Sequence, residues 1–337
     1  MPLDRHARRF LEMLAAAGKA RGRYEAVEER REALANLANL VDPPGTVEIG
    51  GVRDHLLPVH DGHISLRTYS PLGPPARVLP GMLFFHGGGW VAGSLDTHDG
   101  LCRRLANETG CRVIAVDYRL APLHPFPYGL ADAWAALNFV VRNPRIFGID
   151  PERLGVAGDS AGATLAAVLC RMARDAARDN ELAPRIAFQL LICPILDVHG
   201  ESAARRELAE GYFLDSETLK RDLELYVPQG IELSDVRLSP LRAEEFADLP
   251  PAFIHTAQFD PFGDEGEAYA QRLGGFGVSV HGRAHTGMIH YFYCMPRMIP
   301  YALEAVKIIG SEIRYAVKIP ANDRRVHRRI RPQLIRA

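Results

Sequence analysis

The chain has almost no net charge, no paired-cysteine spacing and no long apolar run, and each absence removes a class of function. Lys and Arg number 40 against 41 Asp and Glu, a formal charge of −1, so no global field draws the protein to nucleic acid or an anionic membrane. No apolar stretch approaches the ~20 residues that span a bilayer. The opening MPLDRHARRFLEML lacks the apolar core of a secretion signal. The five cysteines (Cys102, Cys111, Cys170, Cys193, Cys294) show no C-x-x-C spacing, and all but the last fall within apolar patterns. An odd, scattered set argues for reduced, buried thiols and a cytoplasmic setting. Repeats and low-complexity tracts are absent as well. Only the end is skewed: RRVHRRIRPQLIRA (324–337) is arginine-rich without an acidic residue, and it reads as a peripheral tail rather than a phosphate-binding arm.

What is present is the texture of an α/β domain. Two amphipathic helical patterns, roughly 4–17 and 23–41, stop at Val41-Asp42-Pro43-Pro44-Gly45. Segments 46–60 and 62–71 read as a hairpin turning at Asp61-Gly62. Short apolar runs then alternate with helical stretches: strand 82–86 before helix 95–109, 112–118 before 128–142, 153–157 before 161–176. Strands follow at 186–192, 252–258 and 278–282, with a last helix near 297–316. Unbroken Val/Ile/Leu/Phe runs between helices are the signature of parallel strands buried on both faces. Such sheets carry their chemistry beyond the carboxyl ends of the strands. The helical stretch 200–240 interrupts the alternation and is too long for a simple connection; with the N-terminal helices it would form a lid over the site.

Candidates are therefore sought past strand ends. Ser160, in Gly158-Asp159-Ser160-Ala161-Gly162, follows a strand and opens an alanine-rich helix. Glycines on both sides remove side chains that would clash at a tight elbow. The helix N-terminus favours negative charge, and the N–H of Ala161 can face an oxyanion. His86-Gly87-Gly88-Gly89-Trp90 ends an earlier strand. Its glycines expose backbone N–H groups, and without a following Gly-Lys-Ser/Thr it is not a phosphate loop. Asp260 lies just past strand 252–258, with Asp197 as the alternative acid; Asp264 and Glu265 read as charges at a helix start. His290 stands after the last strand and His285 competes with it, whereas His255 and His281 fall inside strands. Tyr212, Phe213 and Leu214 would line a substrate pocket or form the lid's own core, with Trp90 beside the glycine loop.

These motifs, HGGGW (86–90), DYRLAP (117–122), HPFP (124–127), GDSAG (158–162), DP…DEG (260–266) and GMIHYF (287–292), occur together in order over roughly residues 40–317. The sequence resembles the hormone-sensitive-lipase-like esterases of the α/β-hydrolase fold. That resemblance implies a mostly parallel eight-stranded sheet with a helical cap, the cap built from 1–45 and 200–240. The core would comprise 46–199 and 241–319, followed by a basic tail, 320–337. It implies Ser160 as nucleophile, His290 as base and Asp260 as its partner. The N–H groups of Gly88, Gly89 and Ala161 would form the oxyanion hole, with His86 and Gly87 shaping that loop. It also implies short- to medium-chain acyl esters as substrates, no metal or organic cofactor, and a possible homodimer. A ligand receptor of the same fold would lack the histidine at 290, and a deacetylase or amidase would share this machinery. Leu123 departs from the pattern, which usually has Glu there, and the arginine-rich tail has no counterpart in it.

Overall fold

In a computed structural model of the chain, the structure describes residues 1–16, 24, 26–73, 78–179 and 183–318; the tail 320–337 lies outside them. The strands are β1 (Gly51–Val59), β2 (Gly62–Ser70), β3 (Leu79–Phe85), β4 (Arg112–Asp117), β5 (Ile149–Asp159), β6 (Gln189–Ile192), β7 (Ala252–Phe259) and β8 (Val280–Ile289). The helices are α1 (Arg5–Ala16), α2 (Val27–Val41), α3 (Asp99–Thr109), α4 (Tyr128–Arg142), α5 (Pro144–Phe147), α6 (Ala161–Arg178), α7 (Ala203–Glu207), α8 (Ser216–Tyr226), α9 (Gly263–Gly275) and α10 (Tyr301–Lys318). No described helix is long and apolar enough to cross a membrane.

The strands form one eight-stranded sheet in the order β1-β2-β4-β3-β5-β6-β7-β8. The hairpin β1–β2 and the β2–β4 pair are antiparallel, and every pairing from β4 through β8 is parallel. The unbroken apolar runs follow from burial on both faces. Along β3, Leu83 and Phe85 enter a cluster with α4 and α6, while Met82 and Phe84 enter a second with α3 and α10. Side chains alternate across the sheet with period two, so a strand covered on both sides has no polar face.

Several boundaries differ from the sequence expectation for local reasons. Helix α3 starts at Asp99 rather than 95, because the Thr97 hydroxyl donates to the Ser94 carbonyl at 3.0 Å and accepts the Ser94 N–H at 2.9 Å. That side-chain turn competes with the first helical hydrogen bonds. Helix α10 begins after Pro300, where a proline restricts the residue before it. Residues 186–188 are not strand, yet they bond to β5 through Ala187 N to Leu154 O (2.8 Å) and Val156 N to Phe188 O (3.0 Å). β8 runs on to Ile289, past a register shift opposite Ala257 and Phe259, and so carries residues 283–289 toward the carboxyl edge.

The 200–240 segment holds α7 and α8. Each starts at a side-chain cap: Ser202 accepts from Arg205 N (3.1 Å) and Asp215 from Thr218 N (2.7 Å). N-caps of this kind contribute ~1 kcal/mol each. Apolar residues of the segment pack into both clusters, Leu214 and Leu219 into the first and Phe213 into the second, which also holds Phe10 of α1.

Candidate active site

Four strand ends converge at the carboxyl edge. β5 ends at Asp159 and α6 begins at Ala161, leaving Ser160 alone between them at φ 52° and ψ −120°. A non-glycine residue held there costs ~1–3 kcal/mol, and the surrounding contacts impose it. Ser160 N donates to the Ile192 carbonyl at 2.9 Å. A Cβ at Gly162 would lie 2.0 Å from the Phe85 carbonyl oxygen, and one at Gly158 would lie 2.4 Å from the Gly162 carbonyl. Both positions therefore exclude side chains, and α6 presses directly on the end of β3. This brings Ala161 beside the glycine loop that follows Phe85.

Ser160 Oγ lies 3.0 Å from His290 Nε2, and His290 Nδ1 lies 2.8 Å from Asp260 Oδ2. Asp260 Oδ1 also accepts Phe262 N at 2.9 Å, which fixes the carboxylate plane. The Phe262 ring meets the imidazole edge-on, centroids 5.7 Å apart. All three polar residues are buried. Burial pulls the His290 imidazole down, but the charge and hydrogen bond of Asp260 outweigh it and the net direction is upward. With Asp260 on Nδ1, the neutral ring keeps Nε2 free to take the serine proton.

The His86–Trp90 loop is held from below. Gly87 N donates to Asp159 Oδ1 at 2.9 Å, and a Cβ at Gly87 would lie 2.4 Å from Asp159 Oδ2. His98 Nε2 pairs with Asp159 at 3.2 Å. Burial opposes ionisation of Asp159, but the neighbouring His98 and His86 and the Gly87 N–H hold its carboxyl below the ordinary value. His86 Nδ1 donates to the Gly87 carbonyl at 2.8 Å, and Tyr118 Oη donates to the His86 carbonyl at 2.7 Å. Burial pushes His86 down to about 4, so at neutral pH it is an uncharged brace. Gly88, Gly89 and Trp90 all have positive φ, at 121°, 65° and 61°.

The rival residues are engaged elsewhere. Asp197 accepts Arg242 Nε at 2.8 Å. His285 lies inside β8, 3.1 Å from His255 Nδ1 and 3.1 Å from Tyr301 Oη. Asp264 and Glu265 do fall in the first turn of α9. Asp264 accepts Ala204 N at 2.9 Å, but Glu265 is more than a terminal charge. Its Oε2 accepts Leu196 N (2.8 Å) and Asp197 N (2.9 Å), and its Oε1 accepts Arg205 Nε (2.7 Å). Burial pushes its carboxyl up to about 7 against these partners. Trp90 is buried with its face stacked on Tyr226 of α8, 4.7 Å between centroids. Phe213 stacks on Tyr291 at 5.7 Å, and Tyr212 stacks on Phe259 at 5.3 Å. Leu214 lines a cavity of about 510 Å³ with Leu219, Leu223 and Val227, and Pro261 and Phe262, next in the chain after Asp260, line it too.

One neighbour of the triad was not singled out from the sequence. Cys193, just past β6, sits at φ 44°, and its donor atom lies with those of Asp260 and His290 inside a 4.8 Å group. Burial and the Asp260 charge push the thiol well above its ordinary value. Since Asp260 and His290 are bound to each other and the thiol beside them is held protonated, the trio is not a preformed metal cage.

The comparisons agree with this geometry. Residues 82–294 match a family model described as alpha/beta hydrolase fold. The chain is 37% identical over 289 residues to carboxylesterase NlhH of Mycobacterium tuberculosis, covering 84% of this chain and 88% of that one. It is 36% identical over 308 residues to ethyl acetate hydrolase of Pseudomonas putida, covering 88% and 94%. The structure of ester-hydrolase EH1AB1 from the metagenome of Lake Arreo, complexed with a derivative of bipyridine phosphonate, superimposes with a TM-score of 0.87. It has 40% identity and covers 94% of this chain and 100% of that one. A serine at a strand-to-helix elbow, a histidine after the last strand and an aspartate after the strand before it thus sit on a fold shared with these hydrolases, and the chain belongs to the α/β-hydrolase family, in its hormone-sensitive-lipase-like branch.

Proposed function

We propose that the protein is a serine carboxylesterase acting on short- to medium-chain acyl esters. The observation that carries this reading is the unbroken hydrogen-bond line Ser160 Oγ–His290 Nε2 and His290 Nδ1–Asp260 Oδ2, at 3.0 and 2.8 Å. Esterase relatives over most of the chain support it. Ser160 attacks the ester carbonyl as His290 takes its proton. Asp260 holds the ring tautomer and stabilises the imidazolium. The C–O bond to the alcohol breaks as His290 returns the proton to the leaving oxygen. Water, deprotonated by His290, then attacks the acyl-enzyme, and Ser160 leaves with the proton restored. Backbone N–H groups of Gly88, Gly89 and Ala161 stabilise the oxyanion in both halves; one such donor contributes ~3 kcal/mol in comparable sites.

Helices α1 and α2 and the 200–240 segment act as a cap over this centre. The aliphatic wall of the 510 Å³ cavity beside Phe262 suits an acyl or alkyl chain, and its volume favours chains beyond acetyl. Tyr212 and Phe213, stacked on Phe259 and Tyr291, hold the chain just before Leu214 of that wall.

The test is a p-nitrophenyl ester series from acetate to octanoate with wild type, Ser160→Ala and His290→Ala. Turnover by wild type and loss of at least ~10³-fold in both variants is the expected result. A wild type inert to the whole series, or an active Ser160→Ala, overturns the assignment.

A further inference from the structure

Helix α2 sends two consecutive arginines toward the region behind the glycine loop. Arg31 donates from Nε to the Val91 carbonyl and from Nη2 to the Ala121 carbonyl, each at 2.9 Å. Arg30 reaches instead to Asp222 of α8, Nη2 to Oδ2 at 3.4 Å, with both side chains largely buried. The carboxylate lies against the backbone of the loop: a Cβ at Gly89 would stand 2.1 Å from Asp222 Oδ2. A carboxylate is thus packed onto one of the residues whose N–H groups must receive negative charge in the reaction. Unbalanced, it would oppose the oxyanion at short range and in a dry setting, where charges act strongly.

The local groups show how the conflict is contained. Burial pushes Asp222 up to about 6; Arg30 pulls it down most, Asp215 raises it and Arg221 beside it lowers it. Tyr24, Val27, Val91 and Thr218 are among the residues that line the small cavity with Arg30, Arg221 and Asp222, and Gly89 meets the carboxylate with backbone alone. Arg30 also acts on the base, since its charge lowers the His290 imidazole. Its guanidinium therefore stands within electrostatic reach of both ends of the proposed machinery.

We propose that Arg30 is a positioning residue for ester hydrolysis: it holds the Asp222 carboxylate behind Gly89 as a neutral pair, so that the donor loop meets the developing oxyanion without a competing negative charge. This rests on the esterase reading above. The pair also ties α2 to α8 across the back of the loop.

The experiment compares wild type, Arg30→Gln, Arg30→Lys and the double variant Arg30→Gln/Asp222→Asn on p-nitrophenyl butyrate from pH 6.5 to 9. Far-UV circular dichroism and thermal melting confirm that each is folded. Arg30→Gln should lose roughly 10- to 100-fold in kcat at pH 9, the scale of one unit charge near an oxyanion, with KM within about threefold. Its kcat relative to the double variant should fall as pH rises, because the unpaired Asp222 ionises only at higher pH while both variants lack the Arg30 charge that lowers His290. Arg30→Lys should retain most of the rate. The double variant should recover it to within about threefold at pH 9. Recovery by removal of the carboxylate is what a packing role could not produce. A rate for Arg30→Gln relative to the double variant that is flat with pH, or a double variant as slow as the single, overturns the proposal. Wild type inert to the ester overturns the underlying esterase reading instead.

Discussion

At the scale of single residues, His290 balances burial, which disfavours its charge, against Asp260, which favours it more. A base whose conjugate acid is stabilised is protonated at a higher pH than a free histidine, for which the ordinary value is 6.5. Only the neutral ring accepts the serine proton, so kcat/KM should fall as pH drops, with its acid midpoint above 6.5. Replacing Asp260 by Asn should move that midpoint down and lower kcat by ~10⁴-fold, because the amide turns the ring to the wrong tautomer. Asp197→Asn, whose carboxylate serves Arg242, should stay within about tenfold of wild type. A reversed ranking in a pH–rate series would move the acid to Asp197. Ser160, Asp260 and His290 were legible because each follows a strand end, and position along the chain encodes that. Arg30, Asp222 and Cys193 were not. The first two are charged residues on helices whose polar faces ordinarily meet water, and only tertiary packing turns Asp222 onto Gly89 and Arg30 onto Asp222. The strained φ of Cys193 depends on its N–H bonding to the His255 carbonyl, 2.7 Å away across the sheet.

Among elements, the junction of β6, α7 and α9 depends on one carboxylate. Glu265 accepts two backbone N–H groups of the turn after β6 and the Arg205 guanidinium, which itself donates to the Asp197 carbonyl at 2.6 Å and lies over the Phe262 ring. Glu265→Leu should cost roughly 3–5 kcal/mol in urea unfolding, because it strands a buried cation and two buried donors. Glu265→Gln keeps an acceptor for the turn and should cost about half as much. Equal small losses in both would show that the junction is held by packing alone. The helical start at 263–266 was readable from its acidic residues, but the burial of only one of them was not. Strand identity was readable from apolar runs, whereas strand length was not. Exits such as residues 283–289 of β8 mix polar and apolar residues, and only pairing with β7 marks them as strand.

Across the whole molecule, the two clusters on opposite faces of the sheet each include side chains from the segments assigned to the cap. Val27, Leu214, Leu219 and Leu223 pack on one face; Ala7, Phe10, Leu34 and Phe213 pack on the other. Full burial of a side chain such as Phe10 or Leu34 contributes about 1.5–3 kcal/mol, and the others add less, so the segments assigned to the cap share the main core rather than holding one of their own. Calorimetry should show one cooperative transition for cap and core, with circular dichroism and aromatic fluorescence coincident. A separate low-temperature transition would mean that the cap opens as its own unit.

All five cysteines lie inside this common core, none more than 3% exposed. Burial also raises every thiol, Cys111 to about 12 and the others in the same direction. Attack on an electrophile needs the thiolate and a path to it, and the native fold withholds both. The chain thus carries its own clock for opening: maleimide uptake counts excursions from the native state. Cys193, whose sulfur lies within 4.8 Å of the triad's carboxylate, makes the same chemistry read as inactivation, so loss of activity on alkylation would time the breathing of the site rather than reveal a catalytic sulfur.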